Sequence, residues 1–224
     1  VYENIAYRIE RQLTQYGKNL SGMKVLDIGC FTGELLLLLQ KKGADVYGVE
    51  LQEEAVAIAH ERLPGRIFKA DVFSNDFPDM TFDLVIMSGV IEHVVDPIRI
   101  LTRSRDLLNP GGMLFLQTPN STSAFSRIMG KYWPPCAPIE HIHLFSKNGL
   151  RQSLENIGFR DVSIQAHWKK LPLIYVYNNF QNFGPELYKL FRPLYNICPK
   201  SILEITLPFY IGEMLFFARK QPVS

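Results

Sequence analysis

Lys24-Val-Leu-Asp-Ile-Gly-Cys-Phe-Thr-Gly33 is the stretch whose reading decides the fold. Val25, Leu26 and Ile28 form a short apolar run, as a parallel strand covered on both faces requires. Gly29 and Gly33 then allow a sharp turn and a close approach of the backbone to a ligand. Glu34 to Leu39 continues as a strongly apolar helix. A unit of this kind sets free backbone N–H groups at the mouth of a sheet, a place for something small and polar.

The spacing narrows that ligand. A dinucleotide fingerprint needs G-x-G-x-x-G, and a P-loop needs G-x-x-x-x-G-K-[ST]. This turn has neither; it reads Asp27-x-Gly29-x-x-x-Gly33. An acid at the strand end repels phosphate and suits an ammonium or a sulfonium. The next strand, Asp45-Val-Tyr-Gly-Val49, ends in Glu50, where a nucleotide fold presents its ribose-binding acid. A carboxylate accepts from both ribose hydroxyls and repels a 2′-phosphate. The expected ligand is a nucleoside with a cationic amino-acid tail.

These residues belong to an ordered set: VLDIGCFTG (25–33), GVE (48–50), Ala70-Asp71-Val72, FDLVIMSGVIEHVVDP (82–97), NPGGMLFLQTPN (109–120), HIHLFSKNGL (141–150) and GEMLFFARK (212–220). In order and spacing the set resembles the class I S-adenosylmethionine-dependent methyltransferases over nearly the whole chain. The resemblance implies an α/β fold, a Rossmann-like, doubly wound, seven-stranded sheet in a three-layer αβα arrangement. The sheet is mostly parallel with an antiparallel last strand. It implies S-adenosylmethionine as cofactor and S-adenosylhomocysteine as product. It assigns Asp27, Gly29, Cys30 and Gly33 to the amino-acid end, Glu50 and Leu51 to the ribose, and Asp71 and Val72 to adenine. Ser88 falls at the cofactor mouth. Glu92-His93 and the H-x-H-L-F-S segment point to the branch acting on small molecules such as quinones, sugars and lipids, by O- or C-methylation. Phe31 departs from the family, which carries glycine or another small residue there. Its side chain must point away from the ligand or reshape the pocket.

Composition bounds the rest. A chain of 224 residues is one large domain, or one domain with an insert. A net charge of +2 gives no argument for nucleic acid. Cys30, Cys136 and Cys198 show no metal or disulfide spacing, so a reduced, cytoplasmic setting is expected. No apolar run reaches the ~20 residues of a membrane span. The chain opens at Val1 without a methionine, which leaves targeting open.

Residues 1–20 contain a leading helix, Tyr2 to Tyr16, with Ile5, Ile9 and Leu13 at helical spacing. It either covers the ligand or simply packs. Glu53 to Leu63 is the second helix, and Arg66 to Lys69 a short strand. Asp71 accepts from the adenine amine or serves as a turn aspartate. Phe82 to Met87 is the fourth strand. His93 follows it as a candidate general base, with a structural role as the alternative. Asp96-Pro97 starts a helix, Asn109-Pro-Gly-Gly112 ends it, and Met113 to Gln117 is strand five.

Residues 119–145 are too long for a passive connection and read as the substrate loop. They hold Tyr132, Trp133, Pro134, Pro135, Cys136, Pro138, His141 and His143. The two histidines are acid/base candidates or a structural pair. A metal is not expected, because no acid spacing supplies a third ligand. Ser146 caps a helix to Ile157, and Gly158-Phe159 leads into strand six through Gln165. Residues 169–211 are an insert before the final strand, Gly212 to Lys220. Two short helices are expected in it, Glu186 to Asn196 and Ser201 to Leu207. The insert is basic, aromatic and amphipathic. It suits peripheral membrane contact or an apolar, anionic acceptor, or else forms a lid or dimer surface. The expected partner is a small-molecule methyl acceptor. Two other classes stay open: a cofactor-binding subunit without catalysis, and a nicotinamide oxidoreductase.

Overall fold

A computed structural model describes residues 2–74, 77–136 and 141–221, without the side chains of 180–183 and 187. Pro138, counted above in the substrate loop, lies outside the described residues.

Seven strands form one sheet: β1 (Lys24–Ile28), β2 (Asp45–Glu50), β3 (Ile67–Lys69), β4 (Phe82–Ser88), β5 (Leu108–Pro119), β6 (Phe159–Pro172) and β7 (Thr206–Lys220). Their order is β3-β2-β1-β4-β5-β7-β6. The first five strands pair in parallel, and β7 runs antiparallel to both β5 and β6. This is the expected mixed, doubly wound sheet. The strand order reverses between β1 and β4, and ligands of such sheets bind at the carboxyl ends beside that reversal.

Alternation along the strands builds the three layers. Val25, Leu84, Ile86, Phe115, Leu215 and Phe217 face one core, shared with α1 (Tyr2–Thr14), α2 (Glu34–Lys41) and α3 (Glu53–Arg62). Leu26, Ile28, Val85, Met87, Leu114, Leu116 and Phe216 face the other, shared with α4 (Pro97–Leu107) and α6 (Lys147–Ile157). The leading helix packs: Ile5, Ile9 and Leu13 are fully buried in the first core. The expected starts of α4 and α6 carry their caps, with Asp96 accepting from Arg99 N–H and Ser146 from Gly149 N–H.

The far edge departs from the sequence expectation. β6 runs to Pro172 rather than Gln165, and β7 begins at Thr206 rather than Gly212. The two strands pair out to Pro172–Thr206, with Trp168 against Tyr210 at 5.6 Å between ring centroids. This outer pairing has no fully buried face, so it lacks the alternation that marks a strand. The insert proper is helical: α7 (Leu173–Phe183), α8 (Pro185–Ile197) and α9 (Lys200–Leu203). No residue pattern predicts α7, whose Leu-Ile-Tyr-Val-Tyr start carries strand-like residue types. Packing decides the matter, because Tyr177 stacks on Tyr195 of α8 with centroids 3.9 Å apart.

One close approach ties β2 to the turn after β1. A Cβ on Gly48 would stand 2.6 Å from Cys30 Sγ and 2.9 Å from Leu36 Cδ1. Gly48→Ala should therefore overpack the core and lower unfolding free energy in urea by about 1–3 kcal/mol. Cys30→Ala in the same chain should recover part of that loss, which a double-mutant cycle measures directly.

Candidate functional site

The turn after β1 takes the conformation its glycines permit. Gly29 has φ +73° and Gly33 φ +80°. A Cβ on Gly29 would meet Val90 Cγ2 at 2.6 Å, so the turn closes directly onto the segment after β4. Phe31 also sits at positive φ, 48°, with its side chain 51% exposed. The conformation that favours glycine is kept, and the phenyl ring is turned outward. Arg62 braces the turn through the Thr32 carbonyl at 2.9 Å and Glu34 Oε1 at 2.7 Å.

Two acids line this turn. Asp27 is only 3% exposed, and its Oδ1 has no hydrogen-bond partner among the described residues. Burial first, then the charge of Glu50, push its carboxyl up to about 8. Glu50 is held by main chain: Oε2 accepts from Phe31 N–H at 2.9 Å, and Oε1 from Leu51 and Gln52 N–H at 2.8 and 2.9 Å. A carboxylate has about four acceptor positions, so one remains for a ribose hydroxyl. The first turn of α1 reaches this place, because burial, then the charges of Glu34 and Asp27, raise the Tyr2 phenol. A buried, unpaired acid beside a second acid is short of positive charge. The donor set fits a ligand with an ammonium or sulfonium tail and a ribose.

The remaining expected cofactor residues lie around the same carboxyl edge. Cys30 is buried, and its thiol packs against Gly48 and Leu36, so only its main chain faces outward. Leu51 is exposed beside Glu50. Asp71 makes a turn of its own, its Oδ1 accepting from Phe73 N–H at 2.9 Å. Val72 is buried in the second core, and its carbonyl accepts from Arg103. Ser88 ends β4 and donates to Gln117 Oε1 at 2.9 Å.

A second cluster forms where the loops meet. Ile91–His93 is a single 3-10 turn after β4. The Glu92 carbonyl accepts from both Ile142 and His143 N–H, at 2.9 and 3.0 Å. That clamp brings residues fifty positions apart together. The His93 and His141 rings stack at 4.8 Å between centroids. One ligating atom from each of Glu92, His93 and His141 lies within 4.8 Å of the others. Glu92 is buried, its Oε2 accepts from Thr118 Oγ at 3.0 Å, and burial is the main cause that raises its carboxyl. His141 Nδ1 meets the Pro135 carbonyl at 3.1 Å. His143 lies apart from this trio, its Nε2 3.4 Å from the Val95 carbonyl.

Local spacing singles out His93 and offers no third ligand for a metal; the fold supplies Glu92 as the partner of His93 and His141. The fold thus gathers one carboxylate and two imidazoles into a group that could hold a cation or exchange a proton with a substrate. Local spacing leaves Glu213 unmarked as well. It accepts from Gln117 at 2.8 Å and from Lys169 at 2.5 Å, so a polar row runs Ser88–Gln117–Glu213–Lys169 along the sheet edge. Glu213 also lines an apolar cavity of about 190 Å³ with Phe125, Met129, Pro135, Leu171 and Tyr175. Both acids stand inside segments that carry the family resemblance, Glu92 in 82–97 and Glu213 in 212–220, but nothing local in the sequence marks their partners.

Comparison with known proteins points to one family. A methyltransferase-domain family model matches residues 2–164. The ubiquinone biosynthesis O-methyltransferase of Sinorhizobium fredii is 31% identical over 173 residues, 70% of this chain and 70% of that protein. The mitochondrial ubiquinone biosynthesis O-methyltransferase of Homo sapiens is 36% identical over 118 residues, 48% of this chain and 32% of that protein. The chain spans about half the length of the curated relatives it matches. Among solved structures, magnesium protoporphyrin IX methyltransferase from Synechocystis with bound SAH superposes with a TM-score of 0.61 at 17% identity, over 98% of this chain and 84% of that one. That likeness is one of fold.

Asp27 makes the site sensitive to pH. Its carboxyl titrates near 3.8 when exposed and near 8 in the fold, so the folded chain holds a proton that the unfolded chain releases. The stability this contributes is fully present below the unfolded value and is lost as pH rises towards about 8. A cationic ligand binds the ionised form and expels the proton. Titration with S-adenosylhomocysteine at pH 7, in two buffers of different ionisation enthalpy, should show release of most of one proton. Asp27→Asn should abolish that release.

Proposed function

This chain belongs to the class I S-adenosylmethionine-dependent methyltransferase family, and we propose that it moves a methyl group onto a hydroxyl oxygen of a small, largely apolar acceptor. One observation carries the proposal. The Glu92–His93–His141 cluster adjoins the segment after β4 on one side and Pro135, a wall of the apolar cavity, on the other. A Cβ on Gly89, in the segment after β4, would stand 3.8 Å from Glu92 Oε1. On the other side, Pro135 both lines the cavity and holds His141 through its carbonyl.

The cofactor, when bound, supplies a methyl carbon activated by a positive sulfur. The acceptor oxygen bonds to that carbon as the carbon–sulfur bond breaks, and the electron pair passes to sulfur. The hydroxyl proton has to leave to the protein. A backbone carbonyl only accepts, so His141 Nδ1 carries the hydrogen that faces Pro135. Nε2 is then the lone-pair nitrogen, ready to take the proton. The Glu92 carboxyl beside it stabilises the imidazolium that results. The stacked His93 ring holds the plane of His141. The rest of the protein's contribution is positioning and exclusion of water.

The relatives named for O-methylation in ubiquinone biosynthesis support an oxygen acceptor on an apolar molecule. The cavity walls support the apolar body, and Glu213 gives that cavity one polar end.

A panel of alkyl-substituted phenols and catechols, assayed with a labelled methyl donor, tests this reading. Turnover is expected on hydroxyl-bearing apolar compounds. His141→Ala should lower kcat by ~10²-fold or more while S-adenosylhomocysteine affinity stays within about twofold. An unchanged kcat in His141→Ala would overturn the base assignment. Tight cofactor binding with no transfer to any hydroxyl would overturn the reaction.

A further inference from the structure

The insert helices carry an apolar face that the domain does not cover. In α8, Tyr195 stacks on Tyr177 of α7 at 3.9 Å, and Tyr188 stacks on it at 4.8 Å. Those tyrosines are seven residues apart and share one side of the helix. On the opposite side, at i, i+4 and i+7, stand Leu190, Leu194 and Ile197, exposed by 68%, 62% and 78%. The chain that follows adds Ile202, Ile205 and Leu207, all exposed. Single exposed apolar residues are ordinary on a protein surface, but a helical row of this kind marks a binding face.

Charge identifies the occupant. Lys170, Lys189, Arg192 and Lys200 are exposed on this insert, against the acids Glu186 and Glu204. Lys189 pairs with Glu186 at 3.2 Å across solvent, a contact that adds little by itself. The remaining excess is basic. A second copy of the same face would set like charges against one another. An anionic lipid surface complements both the charge and the apolar row. Among the described residues no helix is long and apolar enough to cross a membrane, so the contact lies in the interface plane.

We propose that α8 and the segment to Leu207 dock this protein onto anionic membrane surfaces, with Leu190, Leu194 and Ile197 entering the acyl boundary. The docking does not depend on the proposed reaction. It does fit that reaction, because Tyr175 and Val176 of α7 wall the apolar cavity at the base of the same insert.

Co-sedimentation of the full chain with phosphatidylcholine vesicles, with and without ~30% phosphatidylserine, tests the proposal. Binding is expected on the anionic vesicles, weaker on neutral ones and weaker in high salt. Leu194→Asp with Ile197→Asp should lower partition by at least ~10-fold, as should Lys189→Glu with Arg192→Glu. Both variants should keep the wild-type thermal transition and S-adenosylhomocysteine affinity, which separates lost docking from lost folding. No binding to anionic vesicles by the folded wild type overturns the proposal. So does binding that both variants retain, or a solution dimer that the aspartate variant dissolves.

Discussion

The structure depends on the place where Gly29 meets Val90. Val90 Cγ2 occupies the space a side chain would need, 2.6 Å from the position of a Cβ on Gly29. This contact joins the end of β1 to the segment after β4, at the reversal of strand order where ligands of such sheets bind. Two residues beyond Val90 is Glu92, whose carbonyl clamps Ile142 and His143. One steric constraint thereby sets the turn after β1 and the Glu92–His93–His141 cluster in a fixed relation. The proposed methyl transfer needs that relation, since an in-line displacement tolerates little error in position.

The site is electrostatically uncomfortable without its ligand. Asp27 is buried with its carboxyl pushed up to about 8, Glu50 stands beside it as a second acid, and Glu92 is a third whose carboxyl is raised by burial. A fold selected for stability alone would not gather desolvated acids at one edge. A cationic amino-acid tail relieves the first pair, and the stacked imidazoles attend the third. The groups that weaken the fold are those to which the proposed function gives the binding and the reaction.

The insert extends the same edge. By lengthening β6 and β7 past the body of the sheet, the chain carries α7 over the cavity and α8 beyond it. Lys169 and Glu213 meet at the root of that extension and continue the polar row that begins at Ser88. The apolar cavity, its polar end and the exposed row of α8 are thus consequences of one elongated strand pair.

The sequence by itself determined the layers and the cofactor edge. Val25, Leu26 and Ile28, the glycines at 29 and 33, and Glu50 at the end of the next strand act through local geometry, and local geometry is written in residue spacing. The same holds for the caps Asp96 and Ser146. Tertiary structure alone decided the rest. Glu92 and His141 meet because a backbone carbonyl gathers a distant segment. Cys30 points into the core because Gly48 leaves it room. Asp71 stands in a turn of its own making. Leu173 to Phe183 is helical because Tyr177 finds Tyr195, against the preference of its first residues. Periodicity reports which face of an element is apolar. It carries no information on which distant segment that face, or a buried acid, will meet, because that choice is made by packing across the whole chain.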